Sequence, residues 1–197
     1  MKNILRDTFT SVIATIIFAV VLCGIYPVLI WGIGELVFPF QTNGSLLTDK
    51  SGQVIGSKLI GQNFTQPQYF HPRPSAAGSG YDPTASAGTN LGPTSQKLAT
   101  AIQQNIAAYR KENNLAADVA VPADAVTASA SGLDPDISLD NANLQAPRVA
   151  KARKLDVTAV EGLIQQNIDQ RSLGFLGEEG VNVLTLNIAL DDLQAAK

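Results

Sequence analysis

His71 is the one histidine of this 197-residue chain, and Ser75 and Asp82 follow it closely. A histidine, a serine and a carboxylate can perform nucleophilic hydrolysis, the ring taking the hydroxyl proton while the acid orients the ring. Here His71 stands between Phe70 and Pro72 in a stretch without regular periodicity, and nothing marks Ser75 as activated. The expectation is a packing or surface histidine. A lone histidine also disfavours most metal sites, which draw on two or more ligands of this kind, so no metal site is assigned. Gly56 and Gly61 have the spacing of a phosphate loop, but Gln62-Asn63 replace the Lys-Ser/Thr pair, leaving no charge for terminal phosphates. Asp134, Asp136, Ser138 and Asp140 copy calcium-loop positions. Leu139 then occupies the glycine position and Gln145 that of the bidentate glutamate. Those acids are expected to cap a helix entry instead. Asn43-Gly44-Ser45 and Asn63-Phe64-Thr65 fit the glycosylation pattern, which matters only in a eukaryotic secretory pathway.

The richest constellation lies in residues 61–93, where glycine, proline, serine and asparagine surround Phe64, Tyr69, Phe70 and Tyr81. An irregular stretch of this length is functional or disordered, and embedded aromatics argue for an ordered loop held by partners. Arg73, between Pro72 and Pro74, sits on a stiff extended backbone. Its guanidinium could bind backbone carbonyls, a carboxylate or a partner protein. The candidate loop-organising and partner-binding residues are Gln62, Tyr69, Phe70, Arg73, Pro74, Ser75, Gly78, Tyr81 and Asn90. The pattern favours a rigid presented loop over an active site, and no catalytic residue is assigned.

Several elements must position this loop. Residues 45–56 predict a hairpin turning at Asp49-Lys50-Ser51-Gly52. Pro93-Thr94-Ser95 opens a helix to about Asn113, with Leu98, Ile102, Ile106 and Tyr109 on one face. A second helix is expected over Leu139 to Lys154, broken near Pro147. Asp156 caps a third, apolar at Val157, Val160, Ile164 and Ile168 and stopped by Gly174. Val181 to Ile188 is rich in β-branched residues and predicts a strand. The fold class is α+β: one N-terminal transmembrane helix, then a single extracytoplasmic domain with a small antiparallel sheet and about three helices. The hairpin and C-terminal strand are expected to share that sheet.

Residues 8–34 carry no charged side chain. As a helix, Ser11 to Ile33 would span roughly 34 Å, enough to cross the hydrocarbon core. Lys2 and Arg6 precede it, whereas Glu35 and then Lys50 follow, so the positive-inside bias places the N-terminus in the cytoplasm. An apolar run this long, without a small-x-small cleavage site, reads as an uncleaved anchor rather than a signal peptide. The domains are therefore 1–35, the cytoplasmic tip and anchor, and 36–197, the extracytoplasmic domain. Trp31 and Tyr26 suit an outer interfacial belt. Ser11, Thr15, Ala19, Cys23 and Pro27 recur every fourth residue and make a small-residue face for close helix packing in lipid. Pro27 removes a donor and predicts a kink near Gly24. Cys23 is the only cysteine, so the outer domain has neither a disulfide nor thiol chemistry. Net charge is −3, which disfavours nucleic acid as a partner.

Gly56-Ser57-Lys58-Leu59-Ile60-Gly61-Gln62, the Tyr69–Gly78 segment and Asn90-Leu91-Gly92-Pro93-Thr94-Ser95 form long ordered blocks. Val126 to Pro135, Arg148-Val149-Ala150-Lys151-Ala152-Arg153 and Val181 to Asn187 continue them. Through these blocks the chain closely resembles the C subunit of the Kdp-type high-affinity potassium-transporting ATPase of bacteria and archaea. The resemblance implies a non-catalytic accessory subunit in the cell inner membrane. Its partners would be a potassium-channel-like A subunit, a P-type ATPase B subunit and a small F subunit. It further implies a chaperone that raises the B subunit's affinity for ATP, with Gln145 likened to an ABC-signature glutamine. The topology above opposes direct nucleotide contact, because cytoplasmic ATP and the outer domain would lie on opposite sides of the bilayer; no directly bound cofactor is expected. The alternative is a membrane-tethered periplasmic ion-binding or hydrolytic module, the hydrolytic one using the 61–93 loop.

Overall fold

The computed structural model describes residues 2–49 and 51–195, so Lys50 of the expected hairpin turn lies outside the described residues. Two compact units divide the chain, 1–46 and 47–197.

The first unit is helical. Helix α1 (Lys2–Val20) runs into a π-helical turn (Val21–Ile25), then α2 (Tyr26–Val37) and the single-turn α3 (Pro39–Thr42). Asn3–Val37 is long and apolar enough to cross a membrane, and none of its most apolar stretch is buried. The local disturbance expected from Pro27 takes the form of the π turn, in which the Tyr26 N–H donates to the Val21 carbonyl. Proline cannot donate to the preceding turn, and a π turn is one way a helix absorbs that loss. Polar side chains along α1 are satisfied internally: the Ser11 and Thr15 hydroxyls donate to the Asp7 and Ser11 carbonyls.

The second unit is α+β. Strands β1 (Leu46–Thr48) and β2 (Val54–Ser57) form the expected hairpin. The Asp49 carboxylate accepts from the N–H groups of Ser51 and Gln53 and fixes the turn. The other sheet has the order β3-β5-β4, from β3 (Asp136–Ile137), β4 (Ile168–Asp169) and β5 (Gly180–Asn182). Ile137 and Ile168 both pair with Val181, antiparallel. The hairpin therefore forms its own sheet, contrary to the expectation that it joins the C-terminal strand. Around these pack α4 (Gln96–Asn113), the short α5 (Ala123–Val126), α6 (Leu139–Arg153), α7 (Val157–Gln166) and α8 (Val183–Ala195).

Three further expectations are corrected. The predicted strand 181–188 ends at Asn182 and continues as α8, because Val183, Leu186, Asn187 and Leu190 are buried with helical spacing. The Asn182 side chain accepts from the Thr185 N–H and supplies the cap. Pro147 does not break α6. It and Asn143, whose carbonyl loses a donor, are exposed, so water can serve that carbonyl. Ala142, Ala146, Val149 and Ala150 meanwhile hold the opposite face in the core. Helix α7 stops at Gln166, well before Gly174, and Ile168 belongs to β4. The Asn167 side chain there donates back to the Leu163 carbonyl.

Candidate functional site

Residues 66–71 have no regular secondary structure, yet Phe70 is fully buried in the core among Ile137, Val149, Val181 and Leu186. Buried irregular backbone needs a partner for every polar group. Side chains from α6 and α8 provide most of them. The Asn187 amide accepts from the Phe70 N–H at 2.8 Å and donates to its carbonyl at 3.0 Å. Gln145 repeats this on the next residue: it accepts from the His71 N–H at 2.7 Å and donates to the His71 carbonyl at 3.0 Å. Two amide side chains thus imitate a neighbouring β-strand along Phe70-His71. Arg148 donates to the carbonyls of Pro67 and Tyr69, and Arg153 to that of Gln68. The His71 Nε2 meets the Gln66 carbonyl at 2.9 Å. Five consecutive carbonyls, Pro67 to His71, therefore accept from side chains.

The supports are themselves braced. Gln145 is 1% exposed, and its oxygen also accepts from Arg148 while its nitrogen donates to Asn141. Arg148 reaches Asn113 on α4. Arg153 bonds Asp191 and Gln194 on α8 and lies 4.9 Å over the Tyr69 ring. Burial depresses the Arg148 pKa from its usual range, with Glu112 acting in the opposite direction. The His71 Nδ1 lies 2.5 Å from Glu112. That hydrogen bond is the main reason the Glu112 carboxyl falls below the ordinary glutamate value.

A second knot follows. Arg73 donates to the Asp134 carboxylate at 2.7 Å. Ser75 Oγ donates to the Gly132 carbonyl and accepts from the N–H groups of Ala77 and Tyr81. Tyr81 has φ of 57°, a left-handed backbone that is costly for a bulky residue, and its hydroxyl donates to the Arg73 carbonyl. Burial raises the Tyr81 pKa, and the Asp134 charge adds to the effect. Gly78 also has a positive φ, 54°, and a Cβ there would meet Asp82 Cβ at 2.7 Å. His71, Arg73, Tyr81, Asn105, Tyr109 and Glu112 line a cavity of about 340 Å³.

The predicted site residues thus divide. Tyr69 and Phe70 belong to the side-chain-bonded segment 66–71, a strap across α6 and α8, while Arg73, Ser75, Gly78 and Tyr81 form the second knot, with Pro74 on the cavity wall. Gln62 ties the loop to β2 by donating to the Ile55 carbonyl. Asn90 is exposed, in a left-handed conformation, apart from this cluster. Ser11, Thr15, Ala19, Cys23 and Pro27 are exposed on the first unit. His71, Ser75 and Asp82 are committed to separate partners, Asp82 to Thr84. The acids at 134–140 do not cap α6 as expected. Ser138 is the cap, accepting from Asn141, while Asp134 faces Arg73 and Asp136 faces Asn182. Sequence reasoning missed Asn187, Asn141, Glu112 and the roles of Arg148 and Arg153. The legible signal was an amide inside an apolar helical stripe: Gln145 beside Ala142, Ala146 and Val149.

Residues 8–192 match the family described as KdpC, the K+-transporting ATPase c chain. The potassium-transporting ATPase KdpC subunit of Mycobacterium tuberculosis H37Rv is 56% identical over 188 residues, covering 95% of this chain and 99% of that protein. The subunit of that name from Caulobacter vibrioides CB15N is 53% identical over 175 residues, covering 89% of this chain and 87% of its own. That of Myxococcus xanthus is 49% identical over 186 residues, 94% of this chain and 88% of its own.

Proposed function

This chain belongs to the KdpC family, the c chain of the potassium-transporting ATPase, and from that premise we propose a non-catalytic accessory subunit that stabilises the transporter. Its anchor is proposed to cross the plasma membrane once, N-terminus in the cytoplasm and 36–197 outside, beside channel-like A, P-type ATPase B and small F subunits. The carrying observation is the strap. The side chains in this region that could do chemistry each have fixed partners: His71 meets Glu112 and the Gln66 carbonyl, Ser75 the Gly132 carbonyl, Arg73 the Asp134 carboxylate and Gln145 the His71 backbone. Such bonding stiffens a surface for presentation.

An effect on ATP affinity in the B subunit would be conformational. A subunit bound better by one state of its partner shifts that partner's equilibrium without touching the nucleotide. The test is co-expression of the tagged chain with the other transporter chains, followed by purification in mild detergent and potassium uptake in cells lacking their own copy. Joint recovery and restored uptake are expected. A chain that purifies alone, with full uptake in its absence, would overturn the assembly role.

A further inference from the structure

Between β4 and β5 the chain makes a tight projecting turn. Ser172 and Leu176 exchange both backbone hydrogen bonds at 2.9 Å, and the Gly174 N–H donates to the Arg171 carbonyl. Arg171 and Glu178 pair across its neck at 3.1 Å. This ordered turn holds its apolar side chains outward: Leu173 is 83% exposed, Phe175 69% and Leu176 50%. Leu173 adopts φ of 56°, a conformation that disfavours a branched non-glycine residue. Backbone strain combined with high exposure of an apolar side chain is unfavourable in water and is retained at sites of interaction. Lys58 pairs with Asp169 at the foot of the turn, and the Lys58 carbonyl accepts from Asn182. The next residues, Leu59 and Ile60, are 62% and 40% exposed. Five uncovered apolar side chains thus gather about the β4–β5 end of the outer unit.

We infer that the 171–178 turn, with Leu59 and Ile60 beside it, is the surface through which this unit docks into an apolar, basic-rimmed recess on another chain of the transporter. This rests on the subunit reading above. Charge selects the occupant. Glu178 and Glu179 are exposed beside the apolar tip, and Arg171 offsets only one of them. Anionic headgroups would be repelled by these acids, whereas lipid-seeking surfaces surround their apolar groups with Lys and Arg. Two copies joined symmetrically through the turn would place glutamates against glutamates. A pre-shaped turn also loses little entropy on entering a complementary recess.

The experiment places a photoreactive benzoylphenylalanine at position 175 of the full chain, co-expressed with the other transporter chains and irradiated in membranes. A covalent adduct with one of those chains is expected. In parallel, Leu173→Asn keeps a residue tolerated at positive φ but removes the apolar anchor. Joint purification should weaken by about tenfold, the scale for losing a buried anchor. Glu178→Lys with Glu179→Lys should reduce the adduct strongly, whereas Glu161→Lys on α7 should not. An adduct only with a second copy, or only with lipid, would overturn the assignment. Intact joint purification without an adduct would overturn the docking surface alone. Failure of the unsubstituted chain to purify with the others would overturn the assembly role and this surface together.

Discussion

Gln145 commits all four of its hydrogen-bonding positions inside the protein: two to His71, one to Arg148 and one to Asn141. Gln145→Ala would leave the half-buried His71 N–H and carbonyl without their amide partner and should cost about 2 kcal/mol of stability, read by denaturant unfolding. Nucleotide affinity of the assembled transporter should change only in step with that loss. Arg73→Ala strands Asp134 and should cost about 2 kcal/mol, with lysine restoring part of it because it lacks the planar fork. Two acids give opposite pH signatures. Glu112 is held below its unfolded value by His71, so its contribution is present above the ordinary glutamate range and lost as pH falls through the folded value. Glu112→Gln should therefore lower the urea midpoint at pH 7, with the gap closing in acid below the ordinary glutamate range. Burial raises Asp136, partly offset by its bond from Asn182, so its charged form burdens the fold at neutral pH. Asp136→Asn should raise the midpoint at pH 7 and lose that advantage in acid.

The anchor and α8 show how elements carry these effects. Ser11, Thr15 and Ala19 step by four residues, and on an α-helix such a row drifts about 40° per step. The π turn at 21–25 is wider and rotates each residue less, returning Cys23 and Pro27 toward the line of that row. Ala19→Leu or Cys23→Phe should consequently weaken recovery with partner chains severalfold, and a matched change at Phe18 should matter less. Equal effects at both kinds of position would remove the small-face argument. Helix α8 carries one strap amide, Asn187, and the Arg153 partner Asp191, so reading it as a strand concealed half the site.

For the whole molecule, external protease on right-side-out spheroplasts should digest the 36–197 region, and protection there would reverse the proposed orientation. The purified chain should not bind ATP at physiological concentration. Saturable binding abolished by Gln145→Ala in a folded chain would overturn the indirect route to ATP affinity.

The sequence by itself determined the apolar N-terminal helix, the hairpin turn, and the starts of α4 and α7 at Ser95 and Asp156. Each rests on short-range chemistry: an uncharged run, a turn acid, a capping oxygen. Tertiary structure decided the fate of residues 183–188, where burial of Val183, Leu186 and Leu190 overrode β propensity. It kept α6 whole through Pro147, since packing on one face outweighed one lost hydrogen bond on the other. Tertiary structure also decided the strap, whose partners lie 74 positions away at Gln145 and 117 at Asn187. No local pattern encodes that pairing, because buried backbone takes its partners from whichever side chains the fold brings within hydrogen-bond reach.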